Sequence, residues 1–301
     1  MTTRAEKLFL ATRPWSFSMT AISVTLGTIF ILQFDRIYWK FYIPVTLAMV
    51  FVHAATNLIN DYFDVKDKVD RPDSPTAKYR EHYLLTGTLK PSEVLGMSLG
   101  LYALAGLIGV YITLHRGWII PLFAVTGGLA SFFYTAGPIK YKHKALGEIS
   151  VFLMWGPLMM LGSYFAQSGN FQNAGRVLLV SIPQGLWVAL VLLANNIKDI
   201  GYDREVGVKT IANILTHRGA LRLYTLMIIA IYLITILFAI TGILPLTSFL
   251  VLLSLPPVIK LISVIQKENE VPPDADPQTA QVGMIYGVLL IASIFIGYTL
   301  F

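Results

Sequence analysis

The chain has 301 residues, 55% of them hydrophobic and 13% charged, with a mean hydropathy of +0.65; its charge content is about half that of a soluble domain. This composition excludes an ordinary water-soluble fold and predicts a membrane protein, and the absence of cysteine excludes disulfides, thiolate metal sites and a cysteine nucleophile. The net charge of +6 follows the bilayer and calls for no nucleic acid, because all but Arg36, Lys40, Arg116 and Arg176 of the 23 Lys and Arg residues fall on one side of the predicted spans.

That asymmetry orients an integral protein of the cytoplasmic membrane with its N-terminus and long loops inside and its C-terminus outside. The opening stretch "MTTRAEKLFLATRPWSF" has scattered charges and no small-residue cleavage site, so it reads as mature chain rather than a removable signal. A crossing helix needs about 20 apolar residues. In chain order the predicted spans are Phe17–Leu32, Phe41–Ile59, Val94–Leu114, Trp118–Tyr134, Ile149–Gln167, Val177–Asn196, Tyr224–Ile243, Leu246–Ile265 and Val282–Phe301. The long polar connections, 60–93, 135–148, 197–222 and 266–280, share the cytoplasmic face, so function is expected there. The last of them, "QKENEVPPDADPQTA", is Pro-rich and acidic and reads as a connector.

A short repeat organises these elements. "NLINDYFD" starts at Asn57 and "NNIKDIGYD" at Asn195, an offset of 138 residues, and each closes an even-numbered span on the same side. The expected architecture is therefore all-α and polytopic, a single domain over 1–301, with two four-helix pseudo-repeats and a ninth helix.

The same two strings carry the chemistry. If the second span stays helical through Asp64, about 100° per residue places Asn57, Asp61 and Asp64 within about 60° of arc. Asp67 and Asp70 rotate away on that helix and join only if it breaks near Phe63. At the sixth span Asn195, Asp199 and Asp203 share a face in the same manner. Two carboxylate stripes on one side of a membrane repel unless a cation lies between them. Only oxygen donors are offered, His53 being a turn deeper at the apolar end, and such a set selects Mg²⁺, Mn²⁺ or Ca²⁺. Mg²⁺ commonly shares its shell with phosphate oxygens. A phosphate-bearing ligand is accordingly expected beside the basic residues Lys66, Lys68, Lys78, Arg80, Lys140, Lys142, Lys144, Lys198, Arg204 and Lys209. Asp67, Asp70, Asp73 and Glu205 also read as ordinary solvated loop charge.

"NLINDYFDVKDKVD" (57–70), "YTAGPIKYKHKALGE" (134–148), "NNIKDIGYDREVGVKTIA" (195–212) and "TRPWSF" (12–17) together resemble the signatures of the UbiA superfamily of intramembrane aromatic prenyltransferases, particularly its menaquinone-pathway branch. The resemblance implies nine transmembrane helices around a central cavity, two aspartate-rich motifs, Mg²⁺ and a polyprenyl diphosphate donor. Many members carry N-x-x-x-D-x-x-x-D, which here would put an acid at Val65; the D-Y-x-D core with a further Asp at Asp70 matches the menaquinone-type pattern, in which Gly is common where Asp67 stands.

Together with the metal argument, the resemblance implies that Asp61, Asp64, Asp199 and Asp203, with Asn57, Asn195 and Asp70, hold Mg²⁺ against a leaving diphosphate. Arg80, Lys140 and Lys142, with Asn57, are the candidates for diphosphate contact. Tyr134 is placed to stabilise an allylic cation or else to sit in the interfacial aromatic belt. Arg13 is a candidate for a carboxylate on the aromatic acceptor. Glu148 reads either as a helix N-terminal acid or as an acid–base group. The expected acceptor is 1,4-dihydroxy-2-naphthoate, with 4-hydroxybenzoate or a glyceryl phosphate lipid as alternatives. A cation-coupled transporter, a different class, would carry its acids near the bilayer midplane on broken helices.

Overall fold

Inside a bilayer a backbone N–H or C=O has no water to turn to, so each crossing segment must satisfy its own hydrogen bonds, which a helix does. The computed structural model, described over residues 3–266 and 271–300, is helical, with a single isolated bridge between Lys144 and Lys209 among the described residues. The first helices are α1 (Arg4–Ala11), α2 (Phe17–Ile29), α3 (Trp39–Lys66), the short α4 (Pro75–Tyr79), α5 (Pro91–Arg116) and α6 (Ile119–Phe133). They are followed by α7 (Gly147–Leu153), α8 (Met159–Ser168), α9 (Ala174–Lys198), α10 (Ile200–Glu205), α11 (Ile211–Ile240), α12 (Leu255–Ile265) and α13 (Ala275–Thr299).

Eight helical runs among the described residues are long and apolar enough to cross a membrane: Arg4–Gln33, Trp39–Lys66, Pro91–Arg116, Gly147–Ser168, Ala174–Lys198, Ile211–Ile240, Leu246–Ile265 and Ala275–Thr299. Helix α6, where the fourth span was predicted, has 15 residues and so rises only about 22 Å. Phe301, the predicted end of the last span, and residues 267–270 of the connector lie outside the described residues.

Helix ends depart from hydropathy where capping chemistry governs. The predicted seventh span begins at Tyr224, whereas α11 starts at Ile211, because Thr210 and Asn213 form a reciprocal capping box ahead of it. Thr216 then leaves helical geometry (φ 69°, ψ 163°) and sets the first turn apart from the rest. The fifth span contains "WGP". Pro157 has no N–H to donate and crowds the preceding turn, and residues Met154–Leu158 widen to a π turn between α7 and α8.

That π turn coincides with close backbone packing. A Cβ on Gly156 would lie 2.9 Å from Ser181 O, one on Gly185 2.8 Å from Phe152 O, and one on Gly27 2.4 Å from Met160 O. Glycine at these positions lets α2, α8 and α9 approach closely, which drives helix association where lipid is as apolar as the side chains. A main core of α2, α9, α11 and α13 closes around the fully buried Trp187, Tyr224 and Tyr286. On the other side α3 lies along α5, and between α3, α5, α6, α8 and α9 a cavity of about 890 Å³ remains. Phe41, Ile112, Ile120, Phe165 and Ala166 form a packed cluster at one end of it. There Arg116 donates from Nε to Ala166 O at 2.8 Å and stacks 4.1 Å from the Phe41 ring centre.

Candidate active site

The first acidic stripe is built by the last turns of α3. The helix runs unbroken to Lys66, and Asn57, Asn60 and Asp64 line the cavity. Beyond it Lys68 takes a left-handed conformation (φ 60°), and the carbonyl of Asp64 accepts the N–H groups of Val69 (2.8 Å) and Asp70 (2.9 Å). This tight reversal carries Asp70 back to the cavity lining. Asp70 thus joins the site although the helix does not break near Phe63; the chain reverses at the helix end instead. Asp67 points away and pairs with Lys140, and neither lines the cavity.

Every acid of this first motif has a basic partner. Asp61 is 5% exposed and lies behind the cavity wall, where it accepts from Arg13 and, at 2.8 Å to both oxygens, from Arg80. Asp64 accepts from Lys142 Nζ at 2.7 Å and lies 3.2 Å from His143 Nε2; the same ammonium donates to Asn60 Oδ1 at 3.0 Å. Burial works against the Lys142 charge, but Asp64 beside it more than offsets this and holds the ammonium's pKa above its ordinary value. Asp70 lies 3.2 Å from His82. Arg13 reaches Asp61 from a left-handed residue (φ 58°) held by Ser16, whose hydroxyl donates to the Arg13 carbonyl at 2.7 Å. The Asn57 side chain donates to Thr12 O at 2.9 Å and pins the same segment to α3.

The second stripe is different. Helix α9 stops at Lys198 with Asp199 as its cap, and α10 resumes at Ile200; the Asp203 N–H donates to Asp199 O at 2.9 Å, so both side chains keep to the cavity side. Asp199 Oδ1 and Asp203 Oδ2 are buried with no hydrogen-bond partner. Burial is the chief reason that Asp199 is pushed up to about 6 and Asp203 to about 7; Asp276 adds to the first and Asp199 to the second. The two motifs touch through Tyr202, whose hydroxyl donates to Val69 O at 2.7 Å.

The acids, Lys142, His143 and Arg80 therefore rim the cavity mouth or stand directly behind it, while Gly106, Gly109, Gly127, Ile112 and Phe123 line the apolar depth. Tyr134 lines the wall between, its ring centre 5.9 Å from Lys142 Nζ. Both ring nitrogens of His53 are engaged: Nδ1 lies 2.8 Å from the Thr20 hydroxyl and Nε2 3.2 Å from that of Ser16. Asn60, Asn196, His82, His143 and Tyr202 belong to the site and were not singled out from the sequence. Asn60 shares the helical face of Asn57 and Asp64, so its phase alone would have found it. The two histidines come from loops whose course no periodicity fixes.

An oxygen-rich mouth with two orphaned carboxylate oxygens fits a hard divalent cation. The arrangement can hold an anion bearing several oxygens between the acids and the basic rim, with an apolar chain below.

Residues 20–282 match the model of the UbiA prenyltransferase family. The 1,4-dihydroxy-2-naphthoate octaprenyltransferase of Bacillus subtilis (strain 168) is 29% identical over 294 residues, 97% of this chain and 93% of that protein. The UbiA prenyltransferase domain-containing protein 1 of Xenopus tropicalis is 30% identical over 228 residues, 75% of this chain and 64% of that protein. Among solved structures, a UbiA homolog from Aeropyrum pernix K1 superposes with a TM-score of 0.72 at 18% identity, covering 94% of this chain and 97% of that one. A UbiA homolog from Archaeoglobus fulgidus bound to GPP and Mg²⁺ gives 0.69 at 15% identity, covering 95% and 99%. With the paired acidic motifs at the mouth of an apolar cavity and a family match over most of its length, the chain belongs to the UbiA prenyltransferase family.

Proposed function

We propose that this protein, a single integral-membrane domain, transfers a polyprenyl group from an allylic diphosphate to 1,4-dihydroxy-2-naphthoate. One observation carries the reading: two acidic stripes and a basic rim converge on the mouth of a cavity of about 890 Å³ whose depth is apolar. Full-length similarity to a dihydroxynaphthoate octaprenyltransferase supports the acceptor. We count α6 as a ninth crossing, extended at its ends by Trp118 and Tyr134, and read two four-helix repeats from the 138-residue offset of the motifs. The Lys and Arg asymmetry supports a cytoplasmic N-terminus and cavity mouth and an external C-terminus.

Asp64, Asp199 and Asp203, with Asn57, Asn195 and Asp70, are the residues that would hold Mg²⁺, which would supply positive charge against a departing diphosphate. Asp61 contributes from behind the wall, where it holds Arg13 and Arg80 in place. Lys142 and Arg80 grip diphosphate oxygens, and Lys140 on the exposed loop adds to their field. As the allylic C–O bond breaks, the basic rim keeps the leaving group at the mouth. The apolar cavity withholds water from the cation, and the Tyr134 face stabilises it until a ring carbon of the acceptor bonds to it and sheds the group it carried, a proton or its carboxylate as CO₂, which restores the aromatic ring. Arg13, 24% exposed at its side chain, meets the acceptor's carboxylate.

Purified protein in nanodiscs, given polyprenyl diphosphate, MgCl₂ and one acceptor at a time, tests this. A prenylated ring derived from dihydroxynaphthoate, with release of diphosphate, is the expected product. Product only from 4-hydroxybenzoate or a glyceryl phosphate lipid would replace the acceptor, and ion flux in liposomes without diphosphate release would replace the class.

A further inference from the structure

Glu148 is 5% exposed and stands behind the second motif without lining the cavity. Its Oε1 accepts from Asn196 Nδ2 at 2.9 Å, and its Oε2 is buried with no partner. A half-satisfied buried carboxylate costs stability, and its place in the first turn of the helical run Gly147–Ser168 offsets only part of that. The fold alone therefore gives little reason for an acid here.

The hydrogen bond supplies one. A carboxylate accepts and cannot donate, so it admits only one orientation of the Asn196 amide, with the NH₂ toward Glu148. Asn196 is 7% exposed and lines the cavity, so the arm left facing the cavity is its carbonyl oxygen. In the first motif Asn57 is fixed alike: its NH₂ is taken by Thr12 O at 2.9 Å, leaving its oxygen for the cavity. A backbone carbonyl does for α3 what an acid side chain does for α9.

We infer that Glu148 is a positioning residue which locks the Asn196 carbonyl oxygen toward the cation–diphosphate complex at the cavity mouth. The inference rests on the prenyl-transfer reading above and adds two residues to it. Without Glu148 the amide is free to turn and to present its NH₂ to a cation, which it cannot ligate.

Binding of geranyl S-thiolodiphosphate with MgCl₂, measured by calorimetry on the full chain in nanodiscs without acceptor, tests it. Wild-type protein that fails to bind the probe overturns the prenyl-transfer reading and this inference with it; the outcomes below concern wild-type protein that binds. Glu148→Ala and Asn196→Ala should each weaken binding about tenfold, as expected for one misdirected ligand, and the double variant should be no weaker than Asn196→Ala. Asn196→Asp should lose binding in the presence of Glu148, since two carboxylates would lie side by side. Combined with Glu148→Ala it should return to within about threefold of wild type, because a carboxylate offers oxygen whichever way it turns. A purely structural role for Glu148 would not give that rescue. If Glu148→Ala does not fold, Asn196→Ala against Asn196→Ala/Glu148→Gln makes the same comparison, with equal affinities expected. Additive losses, no rescue, or wild-type affinity in Glu148→Ala would overturn the inference.

Discussion

The two acidic motifs differ in how their charge is held. At the end of α3 each carboxylate has a basic partner: Asp61 has Arg13 and Arg80, Asp64 has Lys142 and His143, Asp67 has Lys140, and Asp70 has His82. At the end of α9, Asp199 and Asp203 each keep a buried oxygen with no partner. In the empty site the first motif is thus closed by neighbouring basic side chains, which organise the loops. The second is an open acid pair whose charge calls for a cation from outside the chain. The difference teaches that two matching strings take different parts: one holds the basic rim at the mouth, and the other exposes the unbalanced charge.

Removing the open acids should hurt turnover most and folding least. Asp203→Ala should lower prenyl transfer by about 10²–10³-fold while leaving the unfolding temperature of the substrate-free protein unchanged or raised, since a poorly satisfied buried acid is gone. A matched loss of stability would erase the contrast. Asp61→Ala should show the reverse signature. It strands two guanidiniums, with side chains 24% and 11% exposed, and should cost about 3 kcal/mol of stability, visible as a lower unfolding temperature before any substrate is added.

The open pair should also titrate. Asp199 and Asp203 are pushed up to about 6 and about 7, above the ordinary carboxyl value of about 4. In the empty site the folded chain therefore holds more protons than the unfolded one over this window, and stability declines as pH rises through it. A cation needs the ionised form, so binding of Mg²⁺ with a diphosphate analogue should weaken as pH falls from 7.5 to 6, by up to about tenfold per unit for each proton displaced. Calorimetry in two buffers of different ionisation heat would count those protons. A flat profile would mean that the second motif takes up no cation.

The basic rim should grade by burial. Lys142→Gln unpairs Asp64 and should weaken binding of the analogue about tenfold. Lys140→Gln, whose partner Asp67 sits on an exposed turn, should change it by less than about threefold. Equal effects would place Lys140 in the site after all.

Much of the site was legible because helical phase is a local property. Asn57 and Asp64 share a face at 3.6 residues per turn wherever α3 packs, and the spacing of Asp199 and Asp203 holds across the short break at the end of α9. Helical phase alone did not bring Asp70 to the site, because its return depends on a left-handed Lys68 and a carbonyl accepting two N–H groups, features that a hydrophobic pattern does not encode. His82 and His143 were missed for a related reason: each is brought to its acid by a loop of no fixed period.

The sequence by itself determined the membrane class, the approximate spans and the two acidic faces. All of these follow from composition and local periodicity, which act over one helix at a time. Only the tertiary structure decided which acids are paired and which stay open, and that Asp61 stands behind the wall. It also turned Asn196 by way of Glu148. These outcomes depend on residues 12 to 79 positions apart meeting in a medium of low dielectric, where a charge must find a partner or remain an open demand for one.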